Sequence, residues 1–306
     1  MTEAVAGRRF ALGTLTLVGA LILVPLANAQ TPATGATMAK QSASLQRASF
    51  SPRGSNVVDV IANDFAFDLP PSIPGGLTTF RLLNRGKQGH HLSVVKLDQG
   101  KTPADAMAAI IQAGHGLRPA WMHSVGGPNA IMPGAEGNAT LVLAPGTYLA
   151  FCEVPGPDPM PHYMKGMMKG FTVSPASTSS SLAAPLPKAD MILTLSDYDF
   201  RFSHPLTRGR HVIAVTNAAP QPHMVVMTRL QSGKGIKDFL AWAFNPAGKP
   251  APAEAFGGVT EIAPGATVVI EGSFPPGHYG LVCFSPDAKD GKPHFMHGMQ
   301  KEFTVM

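Results

Sequence analysis

The chain has 306 residues, of which 44 % are hydrophobic and 14 % charged, and its formal net charge is +5 at pH 7. This composition excludes a wholly disordered protein, and the two cysteines are too few for a scaffold held together by many disulfides. No run of five Lys or Arg residues occurs, so the charge pattern does not favour a nucleic-acid binder. The length favours two domains, and the 32 Gly and 29 Pro residues predict many turns and few long helices.

The first 29 residues are predicted to form a secretory signal. Arg8 and Arg9 precede an uncharged apolar stretch at 11–26, and Ala27–Ala29 fits a cleavage site with small residues at both ends. Cleavage there predicts an exported protein, periplasmic or extracellular, and no later apolar segment is long enough to span a membrane. An uncleaved membrane anchor is the alternative. The arginine pair also resembles, weakly, the start of a twin-arginine signal.

Two further segments have the composition of flexible chain. Residues 30–56 are rich in Ala, Thr, Ser and Gln without periodicity, which predicts a flexible leader. Residues 174–189 have a similar composition and are predicted to be a linker. Two domains remain between these segments, at 57–173 and 190–306.

The two predicted domains repeat one another. Short motifs of the first domain return in the second in the same order, which indicates an internal duplication. The matched motifs are Asp64-Phe65-Ala66-Phe67 with Asp197-Tyr198-Asp199-Phe200, Asn84 with Asn217, Gly126-Gly127 with Gly257-Gly258, and Pro145-Gly146 with Pro276-Gly277.

Within each copy, short runs of alternating or β-branched residues lie between Pro-Gly turns, which is typical of β-strands. One helix is predicted in the first copy, capped by Thr102, with Pro103 at its first position and Gln112 near its end. Its counterpart is predicted from Ile236 to Ala243. Six to eight strands and one helical insertion per copy predict an all-β protein of two Greek-key β-sandwiches in tandem.

Each copy also keeps four residues that can bind a metal. They occur in the order His, Cys, His, Met, with four residues between the second His and the Met. Two imidazoles, a thiolate and a thioether are the donors that suit copper in an electron-transfer site, whereas zinc would not call for the Met. The residues are His90, Cys152, His162 and Met167 in the first copy, and His223, Cys283, His294 and Met299 in the second.

With these residues the chain resembles the cupredoxin family over both domains. The resemblance implies two tandem cupredoxin-like domains, with the four residues of each copy as ligands and at most one copper ion per domain. It also implies a protein that carries electrons or holds copper, with a redox partner protein or a copper donor or acceptor as its partner. The sequence departs from the family in the residues between Cys and the second His, nine at 153–161 and ten at 284–293. Prolines would stiffen the first of these spacers, at positions Pro155, Pro157, Pro159 and Pro161.

Alternatives exist for single residues. His91 adjoins His90, but alternation along a strand would point the two side chains to opposite faces. Met164 and Met296 compete with Met167 and Met299 as thioether donors. Any one of these His, Cys and Met residues, taken alone, is better explained by core packing. Cys152 and Cys283 would be able to form a disulfide in an oxidising compartment.

Two other functions compete with a copper carrier. Copper-dependent oxidoreductases with two or three such domains bind further copper ions through His-x-His pairs, which this sequence lacks. It also lacks the G-x-S-x-G and H-E-x-x-H motifs of hydrolases. The sequence therefore predicts a protein that is not an enzyme. The remaining alternative is a cupredoxin-like structural or interaction module without bound metal.

Overall fold

A computed structural model describes residues 52, 54–114, 116–158, 160–176, 184–245 and 249–306. The predicted signal at 1–29, most of the predicted leader and Pro159 lie outside the described residues. Among the helices that are described, none has the length and apolar character needed to cross a membrane.

The first half of the structure contains nine strands and one α-helix. A short 3-10 helix at His162–Lys165 precedes the last strand. The strands and helix in chain order are β1 (Asn56–Asn63), β2 (Ala66–Asp68), β3 (Ser72–Pro74), β4 (Gly76–Asn84), β5 (Ser93–Leu97), α1 (Pro103–Ala113), β6 (Met122–Ser124), β7 (Glu136–Leu143), β8 (Gly146–Phe151) and β9 (Met168–Ser174).

The second half repeats this order with eight strands and one α-helix. A 3-10 helix again precedes the last strand, at His294–His297. The elements are β10 (Met191–Ser196), β11 (Asp199–Phe202), β12 (Gly209–Asn217), β13 (His223–Leu230), α2 (Ile236–Phe244), β14 (Ala253–Ile262), β15 (Thr267–Phe274), β16 (Gly277–Val282) and β17 (Gln300–Val305). The all-β class and the α-helical insertion in each copy are therefore confirmed, but the first half has nine described strands where six to eight were predicted.

Three sheets are built from these strands. An eight-stranded sheet has the order β11-β10-β12-β15-β7-β4-β1-β2 and runs through both halves. The first half adds a five-stranded sheet (β3-β9-β8-β5-β6) and the second a four-stranded one (β14-β13-β16-β17). Alternate side chains of β1 (Val58, Val60 and Ala62) are buried in the core, as the period of two in a strand requires.

The helix α1 begins where the sequence predicts. The hydroxyl of Thr102 accepts a hydrogen bond from the backbone N–H of Asp105 (3.1 Å). The carboxylate of Asp105 in turn accepts one from the N–H of Thr102 (2.8 Å). This reciprocal pair satisfies two backbone donors at the helix start, and Pro103 at the first helical position has no N–H to satisfy.

The two halves are joined inside the eight-stranded sheet. β7 of the first half and β15 of the second pair antiparallel at Thr140 and Val269. Beside this point, the Asn138 side chain donates to the carbonyl of Glu271 (2.8 Å) and accepts from its N–H (2.8 Å). The sandwiches therefore share one sheet.

A buried ion-pair network also connects the halves. The guanidinium of Arg118, 14 % exposed, donates to Glu153 Oε1 (2.6 Å) in the first half and to Glu261 Oε1 (2.7 Å) in the second. The hydroxyl of Ser124 donates to the same oxygen of Glu261 (2.6 Å). One cation thus neutralises carboxylates from both halves.

Candidate metal centres

In the first half, backbone hydrogen bonds bring three distant segments together at one end of the sandwich. His90 exchanges two hydrogen bonds with Ile131 in an isolated bridge (3.2 and 3.0 Å). Cys152 directly follows β8, and its N–H donates to the carbonyl of Met167 (3.1 Å). The N–H of Met167 donates in turn to the carbonyl of His162 (3.1 Å). Backbone bonds therefore place Cys152, His162 and Met167 next to one another, and the bridge to Ile131 fixes the backbone of His90.

The long spacer between Cys152 and His162 folds back on itself. Pro155 and Pro161 form an antiparallel bridge, and the N–H of His162 donates to the carbonyl of Val154 (3.0 Å). In the second half, Pro286 and Pro293 form the equivalent bridge. These bridges close the two spacers, and the second histidine returns to the cysteine.

Three donor atoms of the first half lie around a common point. The Sγ atom of Cys152 is 3.9 Å from Nδ1 of His90 and 3.5 Å from Nδ1 of His162. The two Nδ1 atoms are 3.1 Å apart. All three residues are fully buried.

The second half repeats this cluster. The Sγ atom of Cys283 is 3.7 Å from Nδ1 of His223 and 3.4 Å from Nδ1 of His294, and the three residues are fully buried. In each cluster the three donor atoms lie within 4.8 Å of one another.

Hydrogen bonds fix the protonation of the two imidazoles in the first half. Nε2 of His90 lies 3.0 Å from the carboxylate of Asp64, and Nε2 of His162 lies 3.0 Å from Oε1 of Gln88. Both partners are acceptors, so each Nε2 carries the proton and each Nδ1 presents a lone pair. Burial lowers the pKa of His162 to about 4 and also lowers that of His90, so both rings are neutral at pH 7.

Two lone pairs that face each other at 3.1 Å repel unless a cation lies between them. The thiol beside them is soft, and burial raises the pKa of Cys152 and of Cys283 to about 12, so a metal must displace a proton from each. Two neutral imidazoles with one sulfur suit copper, and the residues present therefore fit this metal.

The two candidate methionines of each half differ in burial. Met167 and Met299 are fully buried beside the clusters, whereas Met164 and Met296 are 46 % and 60 % exposed. The buried methionines also have the same backbone contact in both halves. The N–H of Met299 donates to the carbonyl of His294 (3.0 Å), as that of Met167 does to the carbonyl of His162. These contacts favour Met167 and Met299 as the thioether donors.

His91 lies outside the first cluster. Its Nε2 accepts a hydrogen bond from the N–H of Glu153 (2.8 Å), next to the ion pair with Arg118. The disulfide alternative is also excluded, because Cys152 and Cys283 are both free thiols.

The acceptors that orient the histidines were not identified as site residues from the sequence. Asp64 accepts from His90, and Asp197 lies 2.7 Å from Nε2 of His223. Both aspartates stand in the repeated motifs, so their recurrence was a usable signal. Carboxylates of this kind hold the ring orientation and raise the basicity of a ligating imidazole.

Comparison with known proteins found no matching family model and no matching curated protein. Among solved structures, an auracyanin from the photosynthetic bacterium Roseiflexus castenholzii is 25 % identical, with 40 % of this chain and 98 % of that chain covered and a TM-score of 0.28. A Cu-containing nitrite reductase from Thermus scotoductus is 14 % identical, with 82 % and 61 % covered and a TM-score of 0.22. A blue copper oxidase from Nitrosomonas europaea is 16 % identical, with 81 % and 85 % covered and a TM-score of 0.23.

These neighbours correct one expectation. The sequence predicted that the chain is not an enzyme, and this is contradicted because the similar structures include a reductase and an oxidase. The physical reason is that a missing His-x-His pair excludes one arrangement of additional copper ligands and does not exclude catalysis in general. The strands, sheets and buried clusters together give this chain a cupredoxin-like fold in two tandem copies, each with a His/Cys/His site suited to copper.

Proposed function

We propose that the protein is an exported electron carrier that binds one copper ion in each half and exchanges single electrons with a redox partner protein. The observation that carries this proposal is the pair of fully buried His/Cys/His clusters. The proposed domains are 57–173 and 190–306, and the predicted signal at 1–29 supports export. The proposed ligands are His90, Cys152, His162 and Met167, and His223, Cys283, His294 and Met299.

A bound copper ion would supply one-electron transfer by cycling between Cu(I) and Cu(II). The chain supplies donors for both states, because thiolate and thioether favour Cu(I) and imidazole accepts Cu(II). It also limits rearrangement between the states, since Asp64 fixes the ring of His90 and Asp197 fixes that of His223. Donors held in place in this way favour fast electron exchange.

Copper loading of the chain that starts at residue 30 tests the proposal. We expect two copper ions per chain after Cu(II) is added, with a strong visible absorption from thiolate-to-copper charge transfer that disappears on reduction by ascorbate. Absence of uptake would contradict the proposal and leave a structural module. Tight Cu(I) binding without any colour in the presence of Cu(II) would also contradict it, and would favour copper storage.

Replacing the buried methionine tests the thioether assignment in the first half. We expect Met167→Leu to retain copper but to shift both the visible absorption and the reduction potential, because a soft sulfur near the ion is replaced by a hydrocarbon of similar volume. Absorption spectra and redox titration of the loaded chain measure this.

Met164→Leu is the matched control, because this side chain is 46 % exposed on the same loop. We expect its spectrum to equal that of the parent. A shift with Met164→Leu and none with Met167→Leu would reverse the assignment.

A further inference from the structure

The two clusters differ in charge beside the second histidine. The residue four positions after the cysteine is Gly156 in the first half and Asp287 in the second. Asp64 is followed by Phe65 in the first half, whereas its counterpart Asp197 is followed by Tyr198 in the second. The proposed ligands are therefore the same in both sites, but the residues next to them differ.

In the second half, the carboxylate of Asp287 faces the ligand histidine. Its side chain is 2 % exposed, and Oδ2 lies 3.7 Å from Nε2 of His294. That Nε2 is buried and has no hydrogen-bond partner among the described residues. Asp287 accepts hydrogen bonds from the hydroxyl of Tyr198, from Nε2 of Gln221 (3.2 Å) and from the N–H of Lys289 (2.8 Å). Three donors around one buried carboxylate keep it ionised.

In the first half, the equivalent position holds a neutral acceptor and a nearby cation. Nε2 of His162 lies 3.0 Å from the amide oxygen of Gln88. The ammonium of Lys165 lies 4.6 Å from the ring centre of Phe65, and this ring packs edge-on against His162 at 5.2 Å. A Cβ atom added to Gly156 would be 2.5 Å from Oδ1 of Asp158 and 2.8 Å from the ammonium nitrogen of Lys165. The ion pair of Lys165 and Asp158 therefore occupies the region from which Asp287 extends in the second half.

The cation of the first half is partly neutralised, because Lys165 pairs with Asp158, whose side chain is 59 % exposed. An exposed partner is screened by water, so the pair does not add a buried negative charge. The buried Asp287 has no cationic side chain among the three donors to its carboxylate.

Two pairs of acidic residues are balanced between the halves. Asp64 and Asp197 contact the first histidine of their sites in the same way. Glu153 and Glu261 both pair with the single guanidinium of Arg118. The second half also brings the exposed Asp290 and His297 within 4.8 Å of Asp287, and these two residues contact each other. The buried charge that differs between the sites is the carboxylate of Asp287, because its neighbours Asp290 and His297 are exposed and screened by water.

Resting on the proposed copper function, we infer that Asp287 gives the site of the second half a lower reduction potential than that of the first. Oxidation adds one positive charge to the site, and a buried carboxylate near a ligand stabilises that charge. In a chain with both sites filled and one electron, the electron resides in the first half.

Two single-site chains allow the potentials to be measured separately. In the full chain, Cys283→Ser leaves the first site and Cys152→Ser leaves the second. We expect the first site to be the more easily reduced, by at least about tenfold in the ratio of oxidised to reduced copper, which is about 59 mV for one electron. Redox titration followed by visible absorption gives both values.

Variants that remove or add a carboxylate test whether Asp287 causes the difference between the two reduction potentials. In the chain with Cys152→Ser, Asp287→Asn should raise the potential of the second site, whereas Asp199→Asn should not, because Asp199 is 54 % exposed and pairs with Lys301. In the chain with Cys283→Ser, Gly156→Asp should lower the potential of the first site. This reverse exchange keeps the test decisive if Asp287→Asn fails to fold.

The outcomes separate the two proposals. Failure of both single-site chains to bind copper would overturn the proposed function. Copper binding with equal or reversed potentials would overturn only the inference about Asp287. Potentials that Asp287→Asn and Gly156→Asp both leave unchanged would likewise overturn it.

Discussion

Cys152→Ser is expected to abolish copper binding in the first half while leaving one copper ion per chain, and Cys283→Ser is expected to do the same for the second half. Each thiol supplies the only sulfur in its His/Cys/His cluster, and a serine hydroxyl is a hard donor that cannot replace a soft thiolate. Copper content after gel filtration, together with the visible absorption, measures the loss.

Folding is the control for these variants. The exchange of sulfur for oxygen is nearly isosteric, so the far-ultraviolet circular dichroism of the metal-free variants should match that of the parent. The variant with both exchanges should bind no copper at these sites. If each single variant still binds two copper ions with the parent absorption, the thiolate assignment is wrong.

Arg118→Met is expected to destabilise the protein by about 3–5 kcal/mol, because it leaves buried carboxylates unpaired. Glu153 and Glu261 both depend on this guanidinium, and they come from different halves of the chain. Denaturant unfolding of the metal-free protein measures the change in the free energy of unfolding.

The pair of Arg81 and Asp59 offers the matched control, since the Asp59 side chain is 49 % exposed. Arg81→Met should cost at most about 1 kcal/mol, because exposed ion pairs contribute little. Adding Glu261→Gln to Arg118→Met should recover part of the loss. Equal effects of Arg81→Met and Arg118→Met would contradict a special role for the buried network.

The sequence predicted the strand-rich fold because its signals are local. The alternation of Thr78, Phe80 and Leu82 with their neighbours, and the Thr102 cap before Pro103, report conformations set by near neighbours. The connection between the halves is different. The pairing of Thr140 with Val269 joins residues far apart in the chain, and no local pattern indicates which strand edges will meet.

The candidate sites also combine features that the sequence could predict with features that it could not. Duplication drew attention to the histidines, cysteines and methionines, because each recurs in the same order. The contribution of Asp287 had no such signal, since its counterpart is Gly156, and a comparison for recurring residues passes over a position where the copies differ. Its closeness to His294 appears only once the spacer loop is folded.

The shared eight-stranded sheet has a consequence for solubility. Without its partner, β7 would be the outermost strand of the sheet in the first half, and β15 would be the outermost strand in the second. An outermost strand presents unpaired N–H and C=O groups that invite aggregation with neighbouring molecules. The pairing of β7 with β15 covers both of these strand edges within a single chain. The tandem arrangement therefore protects each copy from the self-association to which it would be prone on its own.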